Sequence, residues 1–268
     1  MLGYVRRILG FYRAGDWTHL LGLGLFGLAY TGKIFDIVPL FSCTIISSLY
    51  LAFGYSSNLV FERFIRKKIP FLPLFSVFLP ILAALSLSFI ISKGLFLVLV
   101  IGTIFSILYS GPPLYMKTVP IVELSLNSSL FTVLFLVGIF TGGGAIDYGV
   151  VGMSSLIFFL IVPFQLVQEL KDLEYDEKNG FKTTANSLPL NLLKMIVFSS
   201  FFLTLVIATI LPFVSKITWV FTAVTYLLCF ALMHYVPPIT RDQIQNRKLR
   251  SIYRIIAIFY GMIVLYIL

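Results

Sequence analysis

Long stretches without a charged residue divide this chain and restrict what it can fold into. Most of them reach the roughly 20 residues that a helix needs to cross a bilayer. Eight such windows cover residues 17–32, 37–61, 69–92, 94–116, 124–146, 148–168, 195–215 and 217–240. A last apolar stretch, residues 251–268, holds Arg254 near its start, where a long side chain reaches the membrane surface. With a mean hydropathy of +1.00, the chain is predicted to be an all-α integral membrane protein with nine transmembrane helices.

The Lys and Arg residues favour this span count and predict the side on which each loop lies. Cytoplasmic loops carry an excess of positive residues. With nine spans and a cytoplasmic amino terminus, all but three of the 20 Lys and Arg residues are cytoplasmic; the exceptions are Lys33, Lys93 and Lys216. Topology and anionic lipid explain the net charge of +9, so no nucleic-acid partner is predicted. We expect a single domain, residues 1–268, in the cell membrane.

A run of charged residues directly follows the uncharged window 148–168. If the helix continues outward, Asp172 and Asp176 lie one turn apart on one face, with about 6 Å between their β-carbons. Two such carboxylates repel unless a cation lies between them, and Mg²⁺ commonly bridges carboxylates to substrate phosphates. Gly180 is predicted to end the helix. The alternative is a solvated loop whose charges only mark the membrane edge.

The end of the second window offers a second group of oxygen ligands. Asn58, Glu62 and Arg66 recur every four residues and share a helical face, with Arg63 alongside. Asn58 and Glu62 suit a second Mg²⁺, and the arginines suit a diphosphate. The alternative is a salt-bridged membrane edge, which positive cytoplasmic loops produce without any chemistry.

Two further cytoplasmic positions are candidate phosphate ligands. Arg13 stands three residues before Asp16, so the two are predicted to share a helical face and either pair or leave Arg13 for phosphate. Lys117 follows the helix-breaking Gly-Pro-Pro of residues 111–113, in a turn flanked by Tyr109 and Tyr115. A lone lysine there is either a topology signal or a ligand.

The start of the fifth span carries two polar residues, Glu123 and Asn127, one turn apart. Polar residues at that depth tend to be functional or paired with one another.

Two of these stretches resemble the UbiA superfamily of intramembrane prenyltransferases. The stretch K-D-L-E-Y-D-E-K-N-G-F-K-T, residues 171–183, resembles the family's second aspartate-rich motif. The stretch Y-S-G-P-P-L-Y-M-K, residues 109–117, resembles its Y-S-x-P-P-x-x-x-K turn. The nine-span layout with a cytoplasmic amino terminus is similar as well, so the resemblance covers nearly the whole chain.

The departure from the family lies in its first acidic motif. Asn58 and Glu62 occupy that segment with no aspartate, and Arg66, which cannot bind a cation, follows them. An alternative register places Ser57, Phe61 and Ile65 at the motif positions, which would leave no acidic residue there.

The resemblance implies a helical bundle around a central cavity and a Mg²⁺-dependent prenyltransferase. The donor is a polyprenyl diphosphate, and the acceptor is lipid-soluble or lies at the membrane surface. By resemblance, Asp172 and Asp176 are catalytic and hold one Mg²⁺, and Asn58 and Glu62 hold another. Diphosphate ligands would be Lys117, Arg63, Arg13, Lys171 and Tyr109. A terpene cyclase of the same fold, or an impaired homologue that binds or transports a prenyl lipid, remains an alternative.

Overall fold

The computed structural model describes residues 10–65, 75–236 and 239–267. Within those ranges the regular structure is entirely helical. The helices are α1 (Ala14–Trp17), α2 (Leu21–Tyr30), α3 (Ile37–Ile65), α4 (Phe78–Ile91), α5 (Lys93–Ser110), α6 (Val122–Thr141), α7 (Tyr148–Lys178), α8 (Thr184–Ser187), α9 (Leu190–Val214), α10 (Trp219–Met233) and α11 (Gln243–Ile267). Short 3₁₀ turns precede α2 at Thr18–Leu20 and α6 at Met116–Thr118.

Six of these helices, α3, α5, α6, α7, α9 and α11, are long and apolar enough to cross a membrane. Three shorter apolar helical segments, Thr18–Tyr30, α4 and α10, lie in the remaining predicted windows. Large apolar side chains point outward along them; Ile90, for example, is 80% exposed. Because such a surface is suited to lipid rather than water, the prediction of an all-helical integral membrane protein is confirmed. The count of nine spans and the side of the amino terminus stay predictions.

Local sequence signals explain several helix ends. Ser92 caps α5 by accepting a hydrogen bond from the Leu95 N–H at 3.4 Å, and Asp147 caps α7 by accepting one from the Val150 N–H at 2.7 Å. At the other end of α5, the helix stops at Ser110, directly before Gly111-Pro112-Pro113, as the sequence predicts.

The chain divides into two compact units, and α6 begins in the second and ends in the first. The first consists of Met1–Met116 and Ser129–Ala145. In it α3 packs against α2, α4 and α5, and glycines bring the backbones of α2 and α6 together. A Cβ atom at Gly27 would overlap the Phe135 carbonyl, and one at Gly138 would overlap the Gly24 carbonyl. Small residues at such crossings are how membrane helices achieve close packing.

The second unit, Lys117–Ser128 with Ile146–Leu268, is built on α7. Both α9 and α11 pack against α7, and α10 packs against α9 and α11. The core between them includes Leu170, Phe201, Cys229 and Tyr253, all buried. This packing fixes the apolar part of the helix whose last turns bear the acidic run.

Candidate functional site

The acidic run lies on the last turns of α7, as the sequence predicts. The helix ends in a Schellman arrangement: the Gly180 N–H donates to the Glu177 carbonyl at 3.1 Å, and the Phe181 N–H donates to the Asp176 carbonyl at 2.9 Å. Gly180 has a φ of 72°, in the left-handed region where a side chain is strained. The prediction that Gly180 ends this helix is confirmed. Asp172 and Asp176 therefore sit one helical turn apart on a regular helix.

Asp172 is held by two neighbours on its own helix. The Lys171 Nζ lies 2.9 Å from Asp172 Oδ1, and the Gln168 side-chain amide donates to Asp172 Oδ2. The side chains of Lys171 and Asp172 are 20% and 39% exposed, so the ion pair is in contact with solvent. Both oxygens of this carboxylate already have partners in the absence of a ligand.

A buried and a half-buried carboxyl group lie near Asp176. Glu123, at the start of α6, is 3% exposed, and Glu169 of α7 is half-buried beside it. The charge of Asp176 acts on both. Glu123 and Glu169 therefore join the start of α6 to the last turns of α7.

This pair fixes the loop that follows α7. The Thr184 N–H donates to Glu123 Oε1, and the Ala185 N–H donates to Glu169 Oε2 at 3.1 Å. The Thr184 hydroxyl also accepts a hydrogen bond from the Ile121 N–H at 2.7 Å. These three hydrogen bonds satisfy three backbone N–H groups at the junction of α6, α7 and α8. Glu123, predicted to be functional or paired, is paired.

Lys117 reaches the same loop. Its ammonium group lies 4.9 Å from the ring centroid of Phe181, the second residue after Asn179 at the end of α7. This distance is within the range of a favourable cation–π interaction. Lys117, the last residue of one stretch that carried the resemblance to a known family, thus contacts Phe181 of the other stretch within the second unit.

The sequence did not single out the residues that join these stretches. Glu169 is one of eight charged residues in the acidic run, and nothing in the sequence distinguishes Thr184 from the residues around it. Asn127, noted as a polar residue in a span, donates to Gln165 Oε1 at 2.7 Å. Only one signal could have suggested these pairs. A carboxylate or amide lies in the last turns of one span, and another lies at the start of a neighbouring span.

In the first unit, α3 carries the candidate second metal site. Asn58 and Glu62 are half-buried, whereas Ser57 and Phe61 are buried and the Ser57 hydroxyl bonds the Gly54 carbonyl of its own helix at 3.0 Å. The alternative register would thus use side chains that face the core. Ile65 has no described side chain, and Arg66 lies outside the described residues.

The other candidate ligands of the first unit, Arg13, Arg63 and Tyr109, lie at three different places in the chain: before α1, on α3 and on α5. Arg13 is not helical: its φ of 54° puts it in the left-handed region immediately before α1, so the prediction that it shares a helical face with Asp16 is wrong. Its guanidinium lies 5.6 Å from the Tyr55 ring centroid, on the α3 face that Asn58 and Glu62 continue. Arg63 is exposed near the end of α3, and Tyr109 is half-buried near the end of α5.

Asp172 and Asp176 fit a Mg²⁺ ion that takes its remaining ligands from water and a substrate phosphate. In the described part of the chain, no group of three or more Asp, Glu, His or Cys side chains is placed to hold an ion. Mg²⁺ does not need such a cage, since it usually keeps several waters and binds one or two carboxylates plus phosphate. Lys171 and Gln168 would have to release Asp172 first.

A sequence profile described as the UbiA prenyltransferase family matches residues 17–260. The chain belongs to this family. The match spans both compact units and nearly the whole protein, so the resemblance noted in the sequence is confirmed. A search of curated proteins finds no significant match.

Solved structures of UbiA proteins share the fold of this family member. A UbiA homologue from Archaeoglobus fulgidus is 18% identical, with a TM-score of 0.74 over 96% of this chain and 98% of that one. A digeranylgeranylglyceryl phosphate synthase is 17% identical, with a TM-score of 0.74 over 98% of each chain. A structure of the Archaeoglobus fulgidus homologue bound to GPP and Mg²⁺ is 16% identical, with a TM-score of 0.70 over 97% of this chain and 99% of that one. At these identities the likeness establishes the fold.

Proposed function

We propose that this UbiA family member transfers a prenyl chain from a polyprenyl diphosphate to a lipid-soluble or membrane-surface acceptor, in a reaction that depends on Mg²⁺. Family membership supports prenyl transfer in general, and a homologue of the same fold has been observed with GPP and Mg²⁺. The observation that carries the proposal for this chain is the arrangement in the second unit. There Asp172 and Asp176 end α7 beside a loop that is tied down by Glu123, Glu169 and Lys117.

Asp172 and Asp176 are the proposed ligands of the Mg²⁺ ion and the catalytic carboxylates. When bound, Mg²⁺ supplies charge neutralisation for the departing diphosphate. Asp176 is positioned by the regular end of α7, whose last carbonyls are satisfied by the Schellman arrangement. Asp172 is paired with Lys171, and this ion pair would have to open for Asp172 to hold a cation.

Lys117 and Lys171 are the proposed diphosphate ligands of the second unit. The ammonium group of Lys117 lies against the Phe181 ring, at the loop that follows the acidic run, and an ammonium group donates hydrogen bonds to phosphate oxygens. Lys171, which is paired with Asp172, would have to leave that carboxylate to reach a phosphate oxygen. Fixed cations at these positions stabilise the charge that develops on the leaving group as the allylic carbon–oxygen bond breaks.

The remaining proposed ligands belong to the first unit. Asn58 and Glu62 supply one amide and one carboxylate oxygen for a second Mg²⁺, and their half-buried position on α3 supports this register over the one through Ser57. Arg13, Arg63 and Tyr109 are proposed to bind phosphate oxygens. The Arg13 contact with Tyr55 supports its placement on the Asn58 and Glu62 face.

We also propose that the chain crosses the cell membrane nine times as one domain, residues 1–268, with its amino terminus and active site on the cytoplasmic side. The six long apolar helices and three shorter ones support the count. The positive-inside distribution of Lys and Arg supports the orientation.

The test is a measurement of diphosphate release by the purified protein in lipid vesicles. Geranylgeranyl diphosphate or a longer donor is supplied with and without Mg²⁺, and with and without a mixture of phenolic and glycerol-based lipid acceptors. Mg²⁺-dependent release that needs an acceptor supports a transferase. Release that is independent of acceptor identifies a terpene cyclase instead.

A second candidate is a homologue that binds or carries a prenyl lipid without reacting it. The absence of aspartate from the Asn58 and Glu62 segment favours this reading, since a weakened metal site would slow ionisation. Donor binding without diphosphate release, with or without Mg²⁺, would establish this second candidate and exclude the first.

A further inference from the structure

A basic cleft of about 390 Å³ opens between the end of α7 and the start of α11, inside the second unit. It is lined by Lys171, Asp172, Arg247, Arg250, Ser251 and Arg254. The sequence explained the α11 arginines only by membrane topology, and the proposed transfer reaction assigns them no role.

The charge lining the cleft suits an anion. Its six lining residues include four cations and one carboxylate, which gives a formal excess of 4 − 1 = 3 positive charges. Three of the cations are arginines, whose planar guanidinium groups bind phosphate oxygens in pairs. Since Lys171 pairs with Asp172, the arginines supply most of the attraction for a ligand.

Helix packing, rather than a loop, places these arginines. Arg247, Arg250 and Arg254 recur at intervals of three and four residues, so they share one face of α11. Leu249 and Tyr253, on the same turns, are buried in the core of the second unit. The cationic face is therefore held beside α7 by the burial of the adjoining face of α11.

The cleft continues into an apolar surface. Ile255, Ile258 and Met262 follow Ser251 on nearly the same stripe of α11, and each is more than half exposed. An inorganic anion would use only the arginines. A molecule with a charged head and an apolar tail would use both the arginines and this stripe.

We propose that this cleft binds the phosphate group of a lipid, with the lipid tail lying along the exposed stripe of α11. Basic pockets between membrane helices are suited to anionic head groups. The phosphate could be supplied by a bilayer phospholipid or by an isoprenoid phosphate, because the two share this head-and-tail chemistry. The cleft adjoins the proposed transfer site, because Lys171 and Asp172 line both, but binding of a lipid phosphate by the arginines does not require that prenyl transfer takes place.

The test uses the full-length protein in detergent with a fluorescent phosphatidic acid as the probe. A labelled diacylglycerol with the same tails but no phosphate is the matched control lipid. We expect phosphatidic acid to bind about tenfold more tightly than the diacylglycerol, and the preference to fall as salt is added. Equal affinities for the two lipids would overturn the proposal.

The matched variants lie on the same helix. Arg247→Gln combined with Arg254→Gln should weaken phosphatidic acid binding about tenfold. Lys248→Gln should leave it unchanged, because Lys248 is exposed on α11 but does not line the cleft. If Lys248→Gln weakened binding as much as the double variant, the attraction would be a property of the whole basic surface and the site would be rejected. Should the double variant fail to fold, the single variants Arg247→Gln and Arg254→Gln take its place in the comparison with Lys248→Gln, and the same two outcomes apply.

Competition identifies the source of the phosphate. The competition is carried out without Mg²⁺, on which donor binding at the proposed transfer site depends. Displacement of the labelled phosphatidic acid by geranyl diphosphate then assigns the cleft to an isoprenoid phosphate; no displacement assigns it to a bilayer phospholipid. Both results support binding of a lipid phosphate.

Diphosphate release by the same preparations is measured in parallel. If the protein binds phosphatidic acid but has no transferase activity, the proposed function is contradicted and the lipid site is not.

Discussion

The backbone N–H of Thr184 donates a hydrogen bond to the carboxylate of Glu123, 61 residues earlier in the chain. Glu123 is bonded in turn to Glu169, which accepts the N–H of Ala185. A loop that follows the acidic helix is thus held by two acidic side chains that do not themselves belong to the D-x-x-x-D pattern. Their role is to position the loop, and it can be tested separately from metal binding.

Glu123→Ala should destabilise the folded protein by about 1–3 kcal/mol, because it leaves the buried Thr184 N–H without an acceptor. Glu123→Gln should cost much less, since its amide oxygen still accepts from Thr184 and its amide N–H₂ donates to Glu169. Thermal unfolding in detergent measures both variants. Equal melting temperatures for the two would show that this contact does not anchor the loop.

Asp176→Ala should lower the rate of Mg²⁺-dependent diphosphate release by about 100-fold and abolish Mg²⁺-dependent donor binding, because it removes one of two proposed metal ligands. Glu177→Gln is the matched control: it removes one acidic charge from the neighbouring, exposed position. Initial rates over a Mg²⁺ titration give the comparison. Unchanged donor binding in Asp176→Ala would remove the metal role assigned to Asp176.

Glu62→Gln should raise the Mg²⁺ concentration needed for half-maximal activity, since an amide is a weaker ligand for this ion than a carboxylate. Ser57→Ala should not, because the Ser57 hydroxyl is buried and bonded to its own helix. The same Mg²⁺ titration serves for both. The reverse pattern would show that the register through Ser57, Phe61 and Ile65 is the correct one.

Arg66→Asp should increase metal affinity if the register through Asn58 and Glu62 holds.

Lys117→Met should raise the donor concentration for half-maximal rate about tenfold, because a charge-assisted contact to phosphate is lost. Lys117→Arg should retain most of the affinity, as the cation remains over the Phe181 ring. Donor titrations at saturating Mg²⁺ distinguish the two variants. If Lys117→Met behaves like the unmodified protein, this lysine is only a topology signal.

Gly180→Ala should destabilise the second unit by about 1–2 kcal/mol, since Gly180 has a φ of 72° and a methyl group is strained there. No atom outside the local backbone lies within 4 Å of a Cβ added at Gly180 or at Gly261, so Gly261→Ala makes the same change without the unusual φ. Only the Gly180 variant should melt at a lower temperature. A comparable loss in both would point to a cause other than backbone conformation.

The sequence predicted the helices well because the feature that defines them is local. Uncharged windows locate five of the six long apolar helices, and the apolar stretch 251–268 locates most of α11. The continuation of α7 to Lys178 with a stop at Gly180 follows from glycine chemistry and spacing. Arg13 shows the limit of this reasoning. Three-residue spacing implies a shared face only if both residues are helical, and Arg13 lies just outside the helix.

The candidate site was predicted less completely, since its supporting contacts join distant parts of the chain. Periodicity places Asp172 and Asp176 on one turn, but it contains no information that Thr184 will meet Glu123 or that Lys117 will meet Phe181. The arginines of α11 were explained as positive-inside residues, and only the packing of α11 against α7 shows that they share a cleft with Lys171.

The ion pair between Lys171 and Asp172 has a further consequence for the order in which charges meet. In the proposed reaction, this aspartate could hold a cation only after Lys171 had turned away from it, and the released ammonium group would then lie beside the proposed diphosphate site. Binding of the cation and binding of the anion would therefore be coupled, because both would require the same ion pair to open.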